Sequence, residues 1–321
     1  MVHGKTYVDP DTGKFLKPDE VDSTEAGKPK VLATGKAAAV SFEKMSKSKY
    51  NGVDPTGFIS KYGADATRAH MLFQAPVGDV LNWDETKIVG VTRWLERLFD
   101  QVTEATTAAP VQDSMSVKDY LTSQGEKVES MSPSELACWD ADTTVWREVQ
   151  RTIGSVTDSY NQIYSLNTVV SDLMTLTNTL GSNKAASNLV KREALSTMAR
   201  MVAPIAPAFA EECWSLLSPS TGSIFKSTSF PVADEDKALL KLLEPRVQPC
   251  AVQVNGKVRG VVDIAPPPAG LEGDTLKEYM VAQILMTDEG SSRFGSGGAF
   301  DLTKARRAIA VKGGKVINFV L

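Results

Sequence analysis

The 321-residue chain contains only three cysteines and two histidines. Cys138, Cys213 and Cys250 lie far apart and form no C-x-x-C pair, which argues against a disulfide framework or a thiolate zinc site. Reduced, buried thiols in a reducing compartment fit this spacing better, and no metal site is predicted. No apolar run approaches the roughly 18 residues that span a bilayer, so no membrane partner is predicted. The first residues also lack the basic and apolar stretches of a signal peptide.

The composition is that of a globular protein, with 42% hydrophobic and 23% charged residues. The formal net charge is −4, but the charge is unevenly distributed: residues 246–321 carry 10 basic and 7 acidic side chains. A positive C-terminal region on an acidic protein suits a polyanionic partner such as nucleic acid. A solvated basic face explains the same excess equally well.

The N-terminal region, residues 1–83, shows no sustained helical period before residue 50 and is predicted to hold short strands and loops. Two short helices follow. Asp54 is expected to cap the first, which ends at Gly63, and Asp65 is expected to cap the second.

The central region, residues 84–245, carries apolar stripes at helical spacing and is predicted to be an antiparallel helix bundle. The polar stretch 110–133 is expected to be an extended loop. Phe209 is expected to point inward from the last helix. Pro204 and Pro207 are expected to break the helix there, because proline removes an amide donor and clashes with the preceding turn.

In the C-terminal region, residues 246–321, apolar residues recur at every second position, which is the spacing of a β-strand. Asn255-Gly256 predicts a type I′ hairpin turn, and a second hairpin is predicted near 309–320 with its turn at Gly313-Gly314. An amphipathic helix near 275–287 lies between them, so this region is predicted to be a small α+β domain.

One short segment carries a chemical signal: Lys44-Met45-Ser46-Lys47-Ser48. Two lysines three residues apart on a serine-containing loop place two positive charges over a small volume. This arrangement suits a polyphosphate whose charge shifts as a leaving group departs. Taken alone, the pentapeptide is also compatible with an ordinary solvated loop.

The segment resembles the second signature of class I aminoacyl-tRNA synthetases, and residues 54–68 resemble the helix pair that follows it in that family. Further segments narrow the resemblance to the leucyl-tRNA synthetases, of the bacterial and organellar type and closest to fungal mitochondrial forms. These are the bundle segments 71–76, 82–85, 203–207 and 211–214, and the C-terminal tRNA-contacting segments 252–260 and 316–320.

This resemblance implies a multidomain, mainly α protein. Residues 1–83 would be a remnant of the α/β catalytic fold, 84–245 an anticodon-binding-type bundle and 246–321 a C-terminal α+β domain. The implied function is ATP-dependent charging of tRNA(Leu) with leucine, with Mg²⁺ accompanying ATP. The family's first signature, H-x-G-H, is missing, because neither His3 nor His70 stands in such a motif. The chain alone is therefore expected to be inactive and to need an N-terminal catalytic half.

The resemblance also assigns roles to residues of the segment and to basic side chains elsewhere. Lys47 is expected to contact ATP and Lys44 to assist at its phosphates, while Met45, Ser46 and Ser48 complete the ATP-binding loop. The expected tRNA contacts are Arg93, Arg97, Lys257, Arg259, Lys304, Arg306 and Arg307. The last three belong to a basic cluster that continues to Lys312 and Lys315. Arg93 and Arg97 share a helix face, and Lys257 and Arg259 are expected on the same side of a strand. Simple exposure remains the alternative for all of these basic residues.

Two alternatives to an enzyme segment remain open at this point. The chain could be a non-catalytic module that binds group I intron RNA, or one subunit of a naturally split synthetase. By kinship the expected compartment is the mitochondrial matrix, or the cytoplasm for a bacterial protein. Any transit peptide would lie in an N-terminal region outside this chain.

Overall fold

The computed structural model describes residues 1–25, 27–107, 115–268, 270–311 and 314–320. They form two compact units, Met1–Leu240 and Lys241–Leu321. The chain is mainly helical with small sheets, as predicted. The predicted division at residues 83/84 and 245/246 stays a prediction. Among the described helices, none combines the length and the apolar character required to cross a bilayer.

The first unit begins with short strands, as predicted. They are β1 (Val2–Val8), β2 (Phe15–Leu16), β3 (Val21–Asp22), β4 (Lys30–Val31), β5 (Ala39–Lys44) and β6 (Leu81–Asn82). β1 lies between β2 and β5, antiparallel to both, and also pairs with β6 in parallel. β3 and β4 form a separate antiparallel ribbon. A small core in this region is formed by four buried side chains, those of Leu16, Val21, Val31 and Ala38.

Two short helices follow the sheet, α1 (Pro55–Tyr62) and α2 (Ala64–Gln74). The Asp54 side chain accepts a hydrogen bond from the Thr56 amide at 3.0 Å, which confirms the predicted cap. The cap predicted for Asp65 is wrong. Asp65 lies inside the first turn of α2, and its Oδ2 accepts a hydrogen bond from the Phe209 amide at 2.6 Å, so a distant partner uses the carboxylate.

The rest of the first unit is helical. Its helices are α3 (Ile88–Thr107), α4 (Val117–Gly125), α5 (Pro133–Asp158), α6 (Leu166–Ser182), α7 (Asn188–Val202), α8 (Pro207–Leu217) and α9 (Ile224–Ser227), and α10 (Lys237–Leu242) begins in this unit and ends just past its last residue. They pack through apolar stripes such as that of α3, whose Trp94 is fully buried. The Trp94 indole N–H donates to Thr177 Oγ1 of α6 at 2.9 Å, so the buried polar atom is satisfied.

The prediction of an extended loop over 110–133 is wrong for residues 115–133. Residues 110–114 lie outside the described residues. α4 forms because the Ser116 hydroxyl accepts a hydrogen bond from the Asp119 amide at 3.1 Å at its start. Val117 and Leu121, four residues apart, are buried on one face. A single apolar pair between polar residues is too weak a periodic signal to predict a helix.

The predicted break near the two prolines is present between α7 and α8. Arg68 of α2 contacts this turn, donating to the Ile205 carbonyl at 2.9 Å and the Pro204 carbonyl at 3.0 Å. Phe209, predicted to point inward from the last helix, is only half-buried. It lies at the edge of α8 against Phe99, with ring centroids 6.4 Å apart.

The second unit is an α+β fold, as its sequence pattern predicts. It contains β7 (Gln248–Val254), β8 (Lys257–Ile264), α11 (Gly273–Leu285), α12 (Asp288–Phe294), β9 (Arg307–Val311) and β10 (Val316–Val320). The strand order is β8-β7-β10-β9, with β7 and β10 parallel. Asn255 and Gly256 have φ values of 50° and 77°, which confirms the predicted I′ turn. Gly313 and Lys312 lie outside the described residues.

A buried carboxylate links three elements of the helical part. Asp142 of α5 is fully buried, and its Oδ1 accepts hydrogen bonds from the amide and hydroxyl of Ser187 at 2.7 and 3.0 Å. Its Oδ2 accepts a hydrogen bond from the Tyr120 hydroxyl at 3.1 Å. Burial raises the pKa of the Asp142 carboxyl despite these donors.

Because this pKa is raised, the contribution of Asp142 to folding stability is greatest below about pH 4, where the carboxyl is protonated in both the folded and the unfolded state. The contribution is lost as pH rises through the folded pKa. We therefore expect Asp142→Asn, which keeps an acceptor for Ser187, to gain stability relative to the parent between pH 4 and 7. Urea unfolding across this range measures the difference, with exposed Asp100→Asn as the control. Parallel stability curves for the parent and Asp142→Asn would contradict the expectation.

Candidate functional site

The Lys44–Ser48 segment leaves the sheet at the end of β5 and turns back at once. Ser46 is extended, and Lys47–Lys49 form a single 3₁₀ turn. Tyr50 ends the turn in the left-handed region with φ of 52°, an uncommon conformation for a residue with a side chain. Such a conformation persists only where the surroundings hold it in place.

The buried side chain of Asn51 holds this loop. Its Oδ1 accepts a hydrogen bond from the Ser46 amide at 2.8 Å. Its Nδ2 donates to Thr6 Oγ1 at 2.8 Å and to the Glu43 carbonyl at 3.0 Å. The Thr6 hydroxyl in turn donates to the Gly4 carbonyl at 3.1 Å. One amide thus ties the loop to both β1 and β5, a role that sequence reasoning missed.

The backbone of β1 approaches this anchor so closely that Gly4 has no room for a side chain. A Cβ built on Gly4 would lie 1.9 Å from the Asn51 carbonyl oxygen. The glycine is therefore required by the packing of the loop against the sheet.

The lysines of the loop differ in how their charge is balanced. Lys49 forms an ion pair with Glu43, and this hydrogen bond lowers the pKa of the Glu43 carboxyl. Lys44 and Lys47 are exposed, and neither ammonium has an ion-pair or hydrogen-bond partner in the part of the chain that the structure describes. The two lysines singled out from the sequence are thus those whose charge is free to meet a ligand.

An open depression of about 690 Å³ lies beside the loop. Met45, Ser46, Lys47 and Tyr50 line one part of it, and Lys17 lines another. The Lys17 ammonium lies 5.7 Å from the centre of the Tyr50 ring. Lys17 brings a further cation to the site, which sequence reasoning missed because residue 17 stands in no recognisable motif.

The depression suits an anion better than a metal ion. Asp19 is the acidic residue among its lining residues. No group of three or more His, Cys, Asp or Glu side chains gathers within the described ranges. The residues present therefore do not form a protein-ligated Mg²⁺ site, and no chemical step is assigned to one.

The strand that leads into the loop exposes apolar side chains. Val40 and Phe42 of β5 are 43% and 41% exposed, and they alternate with Ser41 and Glu43 along the strand. Within the described residues, β5 pairs only with β1, so its other edge has no partner strand. An exposed apolar strand edge of this kind is a typical docking surface.

The basic residues expected to contact tRNA occupy two separate regions. Arg93 and Arg97 are exposed on α3, as the helical spacing predicts, and Arg97 donates to Asn178 Oδ1 at 3.2 Å. Lys304 pairs with Asp301 at 3.2 Å in the second unit. Arg306 and Arg307 are exposed, with no ion-pair partner among the described residues.

The prediction that Lys257 and Arg259 lie on the same side of a strand assumes regular alternation of side chains, and a β-bulge interrupts that alternation here. A bulge lies opposite Val252 and Gln253, where Gly260 and Val258 are the pairing residues and Arg259 is the extra one. The Arg259 guanidinium lies over the Phe300 ring at 4.7 Å, and its Nε has no hydrogen-bond partner among the described residues. Lys257 is exposed beside the turn. Contact of either residue with tRNA stays a prediction.

Two family models match the chain. The model for tRNA synthetases class I (I, L, M and V) covers residues 28–84, which include the anchored loop. The model for the anticodon-binding domain of tRNA ligase covers residues 142–268. The chain is 42% identical over 225 residues to the mitochondrial leucine–tRNA ligase of Saccharomyces cerevisiae, and the match covers 68% of this chain and 24% of that protein. It is 35% identical over 321 residues to the leucine–tRNA ligase of Synechococcus sp. strain WH7803, covering 100% of this chain and 33% of that protein.

The chain belongs to the class I leucyl-tRNA synthetase family. It spans about a quarter to a third of the length of the curated relatives it matches. A solved structure of similar fold is the Agrobacterium radiobacter K84 agnB2 LeuRS in a ternary complex with tRNA and LeuAMS. It matches with a TM-score of 0.55 at 24% identity, covering 87% of this chain and 31% of that one.

The close contact at Gly4 gives a test of the anchored loop. Gly4→Ala is expected to destabilise the first unit by roughly 1–3 kcal/mol, because the new methyl group meets backbone that cannot move freely. The matched control is Gly57→Ala in α1, where a Cβ meets nothing within 4 Å. This control should raise stability by about 0.5–1 kcal/mol. Thermal unfolding measures both changes, and a neutral Gly4→Ala would contradict the packing described.

Proposed function

We propose that this chain acts as part of a leucine–tRNA ligase and that its anchored loop contacts ATP. In that reaction leucine and ATP form leucyl-adenylate and pyrophosphate, and the leucyl group then passes to tRNA(Leu). Lys47 contacts the phosphates and Lys44 assists, while Met45, Ser46 and Ser48 shape the loop around them. The observation that carries the proposal is the contrast between the unpaired ammonium groups of Lys44 and Lys47 and the neutralised Lys49.

The placement of these charges fits the chemistry. Negative charge builds up on the departing pyrophosphate, and a fixed cation at that point lowers the barrier without reorganisation. The Asn51 hydrogen bonds hold the loop in place before substrate binds. Mg²⁺ is expected to arrive with ATP, because the phosphates supply oxygen ligands that the chain does not gather within its described residues.

The proposed site is incomplete in this chain. A missing N-terminal catalytic half is the expected partner, and the exposed apolar residues Val40 and Phe42 of β5 supply a surface for it. The yeast relatives at 42% and 43% identity are mitochondrial proteins, which supports the mitochondrial matrix as the compartment. The similarity to Synechococcus relatives leaves the cytoplasm of a bacterium as the alternative compartment. The matches do not favour a non-catalytic intron-binding module or a split subunit.

Replacing the loop lysines tests the ATP contact. In a chimera, this chain replaces the matching segment of the Saccharomyces cerevisiae mitochondrial relative. Lys47→Met is expected to lower leucine-dependent ATP–pyrophosphate exchange roughly 100- to 1,000-fold, as the removal of one transition-state interaction does. Lys49→Met is the matched control, because the Lys49 charge is already paired with Glu43.

Equal losses in the two variants would contradict the assignment of Lys47. The chain by itself should show no exchange above background. Exchange catalysed by the pure chain would show that no partner half is needed.

Binding to tRNA(Leu) is expected to depend on the exposed arginines of the second unit. Arg306→Gln/Arg307→Gln should weaken binding of a tRNA(Leu) transcript and reduce the slope of log affinity against log salt by about 2, or about 1 for each phosphate that is no longer neutralised. The matched control is Lys28→Gln/Lys30→Gln, which removes the same charge from two lysines that are already paired with Glu25. It should change the affinity and the salt slope little. Filter binding at several salt concentrations measures both pairs. An unchanged slope after the arginine substitutions would show that tRNA binds to another surface of the chain.

A further inference from the structure

The depression beside the anchored loop has a second wall to which the proposed ATP contact assigns no role. This wall comes from the segment that follows β2, where Lys17, Pro18 and Asp19 line the depression. The loop supplies the other wall, and its charged member there is Lys47. Two lysines that are far apart in the sequence therefore border the same space.

The backbone at Lys17 is fixed by its neighbours on both sides. Leu16 pairs with Tyr7 of β1 and is buried in the small core of this region. The Lys17 amide donates to Glu20 Oε2 at 2.8 Å, and Pro18 begins the 3₁₀ turn Pro18–Glu20. Proline fixes its own φ and restricts the residue before it. The exposed Lys17 side chain thus extends from a fixed point of the fold.

The ring of Tyr50 keeps the Lys17 ammonium beside the loop. The ammonium lies 5.7 Å from the ring centre, within the distance of roughly 6 Å at which an aromatic face attracts a cation. Tyr50 ends the 3₁₀ turn that carries Lys47, and it lines the same depression. The contact therefore places the Lys17 charge next to the turn of the loop.

The charge of Lys17 is available to a ligand. In the ranges that the structure describes, its ammonium has neither an ion-pair partner nor a hydrogen-bond acceptor. Asp19 also lines the depression, but none of the ion pairs among the described residues joins its carboxylate to Lys17 or Lys47. The depression thus holds two unpaired cations, which repel each other until an anion lies between them.

A polyphosphate fits this arrangement better than an anion with a single charge. Its negative charges are spread along a chain, so one molecule can meet two separated ammonium groups. The depression of about 690 Å³ lies within the range of roughly 300–1,000 Å³ typical of small-molecule sites. Lysine binds phosphate as a point charge and requires no fixed fork geometry, which suits an open site of this kind.

We propose that Lys17 is a second phosphate-binding residue of this site, and that a polyphosphate chain lies between the ammonium groups of Lys17 and Lys47. The inference rests on the proposed ATP contact and adds to it a residue from outside the loop. Lys17 touches the anion directly. Tyr50 is a positioning residue that acts through Lys17.

Inorganic tripolyphosphate tests the site without the rest of the enzyme. The isotopically labelled full chain is titrated with tripolyphosphate in the absence of Mg²⁺, and binding is followed by NMR chemical shifts. Shifts are expected at backbone amides of both walls, among them Lys17 and Asp19 on one side and Ser46 and Lys47 on the other. Shifts confined to the loop wall, or no shifts at either wall, would overturn the proposal.

Charge-removing variants check the assignment of Lys17. Lys17→Met is expected to weaken tripolyphosphate binding about fivefold, because one unit charge beside a multiply charged anion is lost. Lys17→Arg keeps the charge and should retain most of the affinity. Lys14→Met is the matched control, since Lys14 is exposed close by but does not line the depression. An unchanged affinity in Lys17→Met, or an equal loss in Lys14→Met, would contradict the assignment.

A variant with the opposite expected sign guards against a loss caused by misfolding. Asp19→Asn removes a negative charge from the lining and should tighten tripolyphosphate binding about twofold. An unchanged or weaker affinity in this variant would show that the anion does not lie beside the second wall.

The role of Tyr50 requires a double-mutant cycle. Tyr50→Phe keeps the ring and should bind tripolyphosphate as the parent does, whereas Tyr50→Leu should bind it more weakly. Combined with Lys17→Met, Tyr50→Leu should cause no further loss, because the ring acts through Lys17. Fully additive losses would show that Tyr50 acts independently of Lys17.

These measurements separate the inference from the proposed function. If Lys47→Met weakens tripolyphosphate binding and Lys17→Met does not, the role of Lys17 is wrong and the ATP contact of the loop stands. If both variants weaken it, but Lys47→Met leaves ATP–pyrophosphate exchange by the chimera unchanged, the two-lysine anion site stands and the proposed function is wrong.

Discussion

The Asn51 amide joins three pieces of backbone that are distant in the sequence: β1, the end of β5 and the turn of the loop itself. Each of its polar atoms has a partner, so its burial carries no unsatisfied group. The left-handed Tyr50 comes directly before Asn51, and the Asn51 carbonyl oxygen occupies the space that a Cβ on Gly4 would need. Without the amide, the turn that carries Lys47 would lose the side-chain hydrogen bonds that hold it against β1 and β5.

A second connection, also within the first unit, joins α2 to the helices that follow it. Asp65 and Arg68 lie on one face of α2 and bind the turn between α7 and α8 from two sides. The carboxylate accepts a hydrogen bond from an amide at the start of α8, and the guanidinium donates to the free carbonyls of Pro204 and Ile205. Both contacts satisfy backbone groups that a helix end or a proline turn leaves without partners.

The features that the sequence predicts well are those whose cause is local. The Asn255-Gly256 turn and the Asp54 cap are set by a few neighbouring residues, and both are confirmed. The features that it misses depend on partners far along the chain. The Asp65 carboxylate is used by Phe209, the Asn51 amide by Thr6, and Lys17 reaches the loop only through the fold. Residue spacing contains no information about such pairs.

The same distinction applies to the charges around the loop. Lysines stand at positions 44, 47 and 49, and the fold pairs the Glu43 carboxylate with Lys49 and not with its sequence neighbour Lys44. An ion pair at that point cancels a charge that would otherwise compete for the same anion. The ammonium groups of Lys44, at the end of β5, and of Lys47, in the 3₁₀ turn, keep their charge unpaired among the described residues. The pairing of Lys49 with Glu43 is therefore a property of the folded strand β5, and residue spacing alone does not reveal it.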